Sequence, residues 1–114
     1  MSSAAQARGA YGERRAAQWY QRQGYSVLAR NWRNDDGELD LIVARSGLVV
    51  FVEVKARAAT RFGIPAEAVT AAKARRIRRL AARWLAAHPQ RGVEVRFDVV
   101  SVLGTELSVI EGAL

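Results

Sequence analysis

Two acidic residues and a lysine occur close together in two neighbouring strand-like runs of the chain. Glu53 and Lys55 lie two positions apart in the run 48–57, and Asp40 lies in the preceding run, 38–45. Lysine is rare in this sequence, which has sixteen arginines and two lysines. A lysine ammonium is compact and titratable, whereas an arginine guanidinium is planar and always charged. The choice of lysine at position 55 therefore suggests a chemical role for its amine.

The two runs are separated by Ser46-Gly47, which predicts a tight β-hairpin. With these as the two loop residues, Asp40 faces Glu53 and Glu38 faces Lys55 across the hairpin. Side chains alternate along strands, so these four charged groups are expected to project from one face of the sheet. The other face then carries a core surface made of Leu39, Leu41, Val43, Val50, Val52 and Val54.

Two carboxylates on directly opposed residues repel each other, because the Cβ atoms of such pairs are only about 4.5–5.5 Å apart. A hard divalent cation such as Mg²⁺ between Asp40 and Glu53 would remove this repulsion. In a strongly cationic protein, the arrangement points to hydrolysis of phosphodiester bonds, since a metal ion acidifies water and stabilises charge on phosphate. Lys55 could position or deprotonate the attacking water, or neutralise developing charge.

The same pattern has a plain structural interpretation. Charged residues alternate with aliphatic ones on any half-exposed hairpin, and Glu38 with Lys55 could form a cross-strand ion pair. Against this, four apolar residues share the face with the charges, which indicates that the face is partly covered. These residues are Ile42, Ala44, Val49 and Phe51.

Length and composition limit the classes of protein to consider. The chain has 114 residues, which fits one domain over 1–114, with residues 1–6 expected to be flexible. Its net charge of +7 favours a polyanion as partner, either nucleic acid or an anionic membrane. The absence of cysteine excludes disulfides and thiolate metal sites. Without an apolar run of about 20 residues or a secretory signal, a cytoplasmic protein is expected and membrane attachment is disfavoured.

Periodicity and turn residues predict an α-β-β-β-α-β-β order, that is, an α/β domain with a mixed central sheet flanked by helices. The predicted helices cover about 7–23 and 66–88. The predicted strands cover 25–32, 38–45, 48–57, about 93–103 and 106–110, with a turn at 34–37.

Several stretches also resemble known families. Asp40, a twelve-residue gap and Glu53-Val54-Lys55 resemble the D…(D/E)xK signature of the PD-(D/E)XK nuclease superfamily. Over nearly its whole length the chain looks like the YraN-like family (uncharacterised protein family 0102). The matching stretches are Gly12-Glu13, Gly24-Tyr25, Arg30-Asn31-Trp32-Arg33, Gly37-Glu38-Leu39-Asp40-Leu41-Ile42, Phe51-Val52-Glu53-Val54-Lys55-Ala56-Arg57, Lys73 and Arg96-Phe97-Asp98.

This resemblance implies a restriction-endonuclease-like αβββαβ core and a metal-dependent endonuclease that acts on DNA, including branched or structured DNA. It implies Mg²⁺ or Mn²⁺ held by Asp40 and Glu53, with Glu13 of the first helix as a further acid and Lys55 as the catalytic amine. The family is similar to archaeal Holliday-junction resolvases, and this likeness implies a homodimer. Leu39 replaces the proline of the superfamily signature.

Four basic residues are candidates for binding nucleic acid, namely Arg57, Arg61, Lys73 and Arg76. Lys73 could contact phosphate or could extend over the core with its ammonium in solvent. Glu13 could be a metal ligand or a solvated acid on its helix, and Glu38 is expected to pair with Lys55 or to support a metal ligand rather than bind metal itself. The alternative function, from a different class, is a nucleic-acid-binding or adaptor protein that keeps the nuclease fold without turnover.

Overall fold

The computed structural model describes residues 3–58, 70–89 and 94–114. Within these ranges two helices and five strands follow the predicted α-β-β-β-α-β-β order. They are α1 (Ala4–Arg22), β1 (Ser26–Asn34), β2 (Gly37–Arg45), β3 (Leu48–Arg57), α2 (Ala71–Ala87), β4 (Glu94–Leu103) and β5 (Glu106–Ile110). Residues 66–69 of the predicted second helix, and Val93, lie outside the described residues.

The strands form one sheet in the order β1-β2-β3-β4-β5. β3 and β4 are parallel, while the other neighbouring pairs are antiparallel. The parallel pair requires a crossover, and α2 lies between β3 and β4 in the chain. The predicted α/β class with a mixed sheet is therefore confirmed, and the fold is compatible with a restriction-endonuclease-like core.

Helix α1 covers one face of the sheet. A capping box closes its first turn. The Ser3 side chain accepts a hydrogen bond from the Gln6 backbone N–H, and the Gln6 side chain accepts one from the Ser3 backbone N–H. The helix therefore begins earlier than predicted, within the segment expected to be flexible. Ala16, Ala17 and Tyr20 are fully buried against a cluster that includes the β2 and β3 residues Leu41, Val43, Val50 and Val52.

Gly12 brings the first half of α1 very close to β3. A Cβ atom at this position would lie 2.6 Å from the Cβ of Ala56, a distance that real Cβ atoms essentially never show. Only glycine therefore allows this approach without a shift of the backbone. The close contact places the next residue, Glu13, beside the sheet.

Helix α2 covers the opposite face. Thr70 caps it by accepting a hydrogen bond from the Lys73 backbone N–H. The buried face of α2 packs against Phe51, whose ring lies edge-to-face against Trp84 at a centroid distance of 5.8 Å. The α2 residues on this face are Ile77, Leu80, Ala81 and Trp84. The two helices thus enclose the sheet between two hydrophobic clusters.

A buried ionic network ties α1 to β4. Asp98 has no exposed surface and accepts a hydrogen bond of 2.6 Å from the Tyr20 hydroxyl. It also accepts from Arg96 at 2.8 and 2.9 Å and from the Gly112 backbone at 3.0 Å. The charge of Asp98 is therefore fully paired inside the protein, which identifies this network as structural.

The β2–β3 hairpin has the predicted register, from Arg45 opposite Leu48 as far as Leu41 opposite Val52. Its loop residues Ser46 and Gly47 have φ of 49° and 79°. Two positive φ values in succession are the geometry of a tight type I′ turn.

The predicted alternation of side chains fails in the first half of β2. Leu39 and Ile42 are three residues apart, yet both pack in the cluster under α2. The expectation that Leu39 shares a face with Leu41 is therefore wrong. Their partners on β1 are Ala29 opposite Ile42 and Trp32 opposite Leu39. These two β1 residues show the same three-residue spacing in that cluster.

The cause is a paired irregularity of the two strands. Between Ala29 and Trp32 lies Asn31, which has a φ of 50°, a left-handed conformation that asparagine tolerates better than most residues. This conformation ends the period-two alternation in β1, and β2 follows its partner. Asp40, between Leu39 and Leu41, is thereby directed to the α1 side of the sheet.

Candidate functional site

Three carboxylates meet where α1 lies over the irregular part of β2. One oxygen each from Glu13, Glu38 and Asp40 lies within 4.8 Å of the other two. Glu13 reaches this point because of the close approach at Gly12, and Asp40 because of the break in alternation beside Asn31. We call these three residues the acidic cluster.

Asp40 is the most perturbed acid of the cluster. Burial, followed by the negative charge of Glu53, raises the pKa of Asp40 to about 7. The nearby charges of Glu13 and Glu38 act in the same direction. A hydrogen bond of 2.8 Å, donated by the Val54 backbone N–H to Asp40 Oδ2, lowers this pKa but does not compensate. The positive charge near Asp40 is thus too small to keep the pKa of this carboxyl group at its usual value.

The other two members are held by polar neighbours. Burial raises the pKa of Glu13 above its usual value, and a hydrogen bond with the Asn31 side chain opposes this rise. Glu38 forms an ion pair of 2.8 Å between its Oε2 and Arg33 Nε. The expected ion pair between Glu38 and Lys55 is therefore not formed. The pair does not form because the irregular β2 segment directs Glu38 to the side of α1.

Glu53 is held by two lysines. Its Oε1 lies 2.7 Å from Lys73 Nζ and 3.4 Å from Lys55 Nζ. The exposed fractions of these side chains are low, at 10% for Glu53, 16% for Lys55 and 24% for Lys73. Glu53 and Lys55 thus lie together as predicted, and Lys73 of α2 completes the group. We call these three residues the lysine–glutamate group.

The two lysines differ in electrostatic state. Burial, together with the positive charge of Lys73, lowers the pKa of Lys55. Burial also opposes the charge of Lys73, but its hydrogen bond to Glu53 and the charges of Glu53 and Asp40 raise its pKa overall. Of the two amines, Lys55 is therefore the one whose neutral form is more accessible.

The acidic cluster and the lysine–glutamate group are adjacent. Glu53 raises the pKa of Asp40, and Asp40 stabilises the charge on Lys73. The hairpin pairing extends only to Leu41 and Val52, so the predicted face-to-face pair of Asp40 and Glu53 is not part of it. The expectation that the two acids project from one face of the sheet is wrong, because Asp40 lies with Glu13 on the α1 side whereas Glu53 pairs with Lys73 of α2. Instead, Asp40 contacts the backbone of Val54, the residue after Glu53.

A small cavity opens onto the acidic cluster on the α1 side. It has a volume of about 210 Å³, and its charged lining is Glu13, Asp40, Arg14 and Arg30. The two arginines are exposed, and neither forms an ion pair with any acid in the described ranges 3–58, 70–89 and 94–114. They can therefore attract an anion toward the carboxylates.

A larger, cationic concavity lies at the start of α2. Its volume is about 490 Å³, and it is lined by Thr70, Ala72, Lys73, Arg75, Arg76 and Arg79. Lys73 belongs both to this concavity and to the lysine–glutamate group. Of the other residues predicted to bind nucleic acid, Arg76 lines the concavity and Arg57 is exposed at the end of β3. Arg61 lies outside the described residues.

The sequence analysis missed three residues around the acidic cluster, namely Arg14, Arg30 and Asn31. Arg30 and Asn31 stand in one of the stretches that carry the family resemblance, which could have marked them as candidates. Arg14 follows Glu13 directly, and its position gives no signal in an arginine-rich helix.

As to membranes, neither α1 nor α2 combines the length and the apolar composition that a transmembrane helix requires.

Comparisons with known proteins agree on one family. The model of the uncharacterised protein family UPF0102 matches residues 12–102. A UPF0102 protein of Beutenbergia cavernae is 57% identical over 97 residues, which cover 85% of this chain and 82% of that protein. One from Frankia alni is 54% identical, covering 82% of this chain and 78% of its own, and one from Mycolicibacterium gilvum is 51% identical, covering 91% and 90%. The matched region contains the acidic cluster and the lysine–glutamate group.

Proposed function

This chain belongs to the uncharacterised protein family UPF0102, and on the basis of its acidic centre we propose that it is a metal-dependent endonuclease that hydrolyses phosphodiester bonds in DNA. The observation that carries the proposal is the environment of Asp40. This half-buried carboxyl group lies among three other acids, Glu13, Glu38 and Glu53, while a lysine of lowered pKa, Lys55, lies beside Glu53. Such an arrangement disfavours its own charged form unless a cation is added.

The donor set fits a hard divalent ion. All the candidate ligand atoms are carboxylate oxygens, which suit Mg²⁺ and Mn²⁺. Asp40 and Glu53 would hold the ion, with Glu13 as a further ligand. Glu38 and Glu13 both place an oxygen within 4.8 Å of an oxygen of Asp40, so we extend the proposed supporting role of Glu38 to direct ligation. When bound, the ion would supply positive charge to phosphate oxygens and make a water molecule more acidic.

Residues of the chain supply the remaining functions. Lys55, through the lowered pKa of its amine, can accept a proton from the attacking water or stabilise the charge that develops on the phosphate. Arg14 and Arg30 at the small cavity can hold a phosphate next to the acids. Lys73 and Arg76 at the start of α2 can hold a neighbouring phosphate of the same strand.

DNA is the substrate class that the charge and the family resemblance support together. The net charge of +7 and the cationic concavity at the start of α2 favour a polyanion. The likeness to resolvases extends the proposal to branched DNA and to a homodimer that acts in the cytoplasm. The proposed contacts are to phosphate groups and not to base edges, so cleavage is expected to depend on DNA shape more than on sequence.

The test is a cleavage panel with linear, single-stranded, flap and four-way DNA, each with Mg²⁺ and with Mn²⁺. We expect cleavage by the wild type and a loss of at least about 100-fold in Asp40→Asn and in Lys55→Ala. The control variant is Asp36→Asn, which changes an acid that pairs with Arg79 outside the acidic cluster and should cleave normally. Equal cleavage by the wild type and both site variants would identify a contaminating nuclease and refute the proposal.

A second candidate function is a DNA-binding or adaptor protein without turnover. The observation that favours it is the pairing of Glu53 with two lysines, which satisfies this acid without a metal ion. Such a protein would bind DNA in a salt-dependent manner, as the nuclease would. It would differ in taking up no metal through its carboxylates, with DNA present or absent.

A further inference from the structure

Lys73 lies between the candidate metal ligands and the candidate DNA surface. Its ammonium is 2.7 Å from Glu53 Oε1, the oxygen that also lies 3.4 Å from the ammonium of Lys55. The same side chain lines the cationic concavity, together with Arg75 and Arg76. With 24% of the side chain exposed, Lys73 can be reached by an anion from solvent.

This position creates a competition for Glu53. Both ammonium groups lie at Oε1 of Glu53, and their positive charges oppose a divalent ion at either oxygen of this carboxylate. Metal binding through Glu53 is therefore favoured when Lys73 moves away. The lysine side chain has a flexible four-carbon stem, which allows its ammonium to move without a change in the backbone of α2. The lysine then requires another negative partner.

A DNA phosphate in the concavity is a suitable partner. Four cationic side chains line the concavity, namely Lys73, Arg75, Arg76 and Arg79. Within the part of the chain that the structure describes, two acids pair with this lining, Glu53 with Lys73 and Asp36 with Arg79. A phosphate at this place would attract Lys73 away from Glu53. Each ligand would then favour the binding of the other, since coupling between two sites is reciprocal.

We propose that Lys73 couples DNA binding to metal binding: phosphate in the α2 concavity withdraws Lys73 from Glu53, and the released carboxylate binds the divalent ion. Lys73 is a positioning residue in this scheme, because it acts through Glu53. The scheme rests on the proposed function and adds an order to it, in which the metal centre is completed when substrate is present. Free protein thus holds its metal weakly.

The experiment is a calorimetric titration with Mn²⁺ at pH 8, with and without a short DNA duplex whose integrity is checked on a gel afterwards. For the wild type we expect the duplex to raise Mn²⁺ affinity about fivefold, at the lower end of common coupling strengths. For Lys73→Met we expect affinity without DNA to rise by about the same factor, with little further gain from DNA. Lys73→Gln is measured as well, so that a folding defect in one variant leaves the other to decide.

Two controls separate the possible causes. Arg75→Met removes a charge from the same concavity without touching Glu53, so it should weaken DNA binding and keep the DNA-induced gain in Mn²⁺ affinity. Glu53→Gln should lose the DNA-induced gain in Mn²⁺ affinity. The uptake that remains in this variant measures the Mn²⁺ bound elsewhere, including on the duplex itself.

The coupling is refuted if DNA leaves the Mn²⁺ affinity of the wild type unchanged, or if the Lys73 variants keep the full gain. Failure of the proposed function has a different signature. In that case Asp40→Asn and Glu53→Gln take up Mn²⁺ as the wild type does, or no protein takes it up at all, and the coupling fails with it.

Discussion

The raised pKa of Asp40 predicts that Asp40→Asn stabilises the metal-free protein at alkaline pH. The pKa of this carboxyl group is about 7 in the folded chain, against an ordinary value of 3.8. Folding therefore binds a proton between these two pH values, and stability falls as pH rises through this window. The difference of roughly three pKa units corresponds to ~4 kcal/mol. Since water and neighbouring groups adjust to the charge, we expect ~2–4 kcal/mol.

The sign of the effect defines the assay. Near pH 4 the carboxyl group is neutral in the folded protein, so the wild type and Asp40→Asn should have similar free energies of unfolding. By pH 8 the variant should be more stable, with a melting temperature higher by ~8–16 °C. Asparagine can still accept the hydrogen bond from the Val54 N–H. Thermal unfolding between pH 4 and pH 8 without divalent metal measures the difference.

A matched control gives the opposite sign. The hydrogen bond from Arg79 lowers the pKa of Asp36, so this acid stabilises the fold above its unfolded pKa and loses that effect as pH falls. Asp36→Asn should therefore reduce stability at pH 8, with a difference that fades toward low pH. If Asp40→Asn is no more stable than the wild type at pH 8, the electrostatic description of the acidic cluster is wrong.

Three further predictions concern packing and binding. Gly12→Ala should lower the free energy of unfolding in urea by ~1–3 kcal/mol, because the new Cβ meets Ala56. Gly9→Ala, whose Cβ meets nothing within 4 Å, should raise it by ~0.5–1 kcal/mol. Equal effects of the two substitutions would contradict the close helix–sheet approach. Asp98→Ala should cost ~3–5 kcal/mol in the same assay, since it leaves a buried network without its acceptor, and a cost below ~1 kcal/mol would show that the network is not structural. Arg14→Ala should weaken DNA binding in fluorescence anisotropy and reduce the magnitude of the salt slope by about one, and an unchanged slope would remove Arg14 from the phosphate contacts.

The parts of the fold that the sequence predicted are those that depend on local chemistry. Ser46-Gly47 supplies the two positive φ values of the hairpin turn, so the register from Arg45–Leu48 onward follows from the loop alone. The bounds of β3 and β5 were also predicted, and turn residues precede both strands, Ser46-Gly47 before β3 and Gly104 before β5. Glu53 and Lys55 lie together because they share one face of one regular strand.

The parts that could not be predicted depend on tertiary contacts. Period-two reasoning assumes a regular strand, and nothing in the local pattern announces that Asn31 adopts a positive φ and turns Asp40 toward α1. The ion pair of Glu53 with Lys73 joins β3 to α2, and its distance is set by how the helix packs on the sheet. The sequence thus identified which residues carry charge but not which partner each of them contacts.

If the carboxylates around Asp40 bind a divalent ion, the loss of one of them must weaken metal uptake. Calorimetric titration of Mg²⁺ or Mn²⁺ into the wild type and into Asp40→Asn at pH 8, with DNA present, measures this directly. We expect saturable uptake by the wild type and a loss of that uptake in the variant. Identical titration curves for the two proteins, after subtraction of the heat from DNA alone, would contradict it.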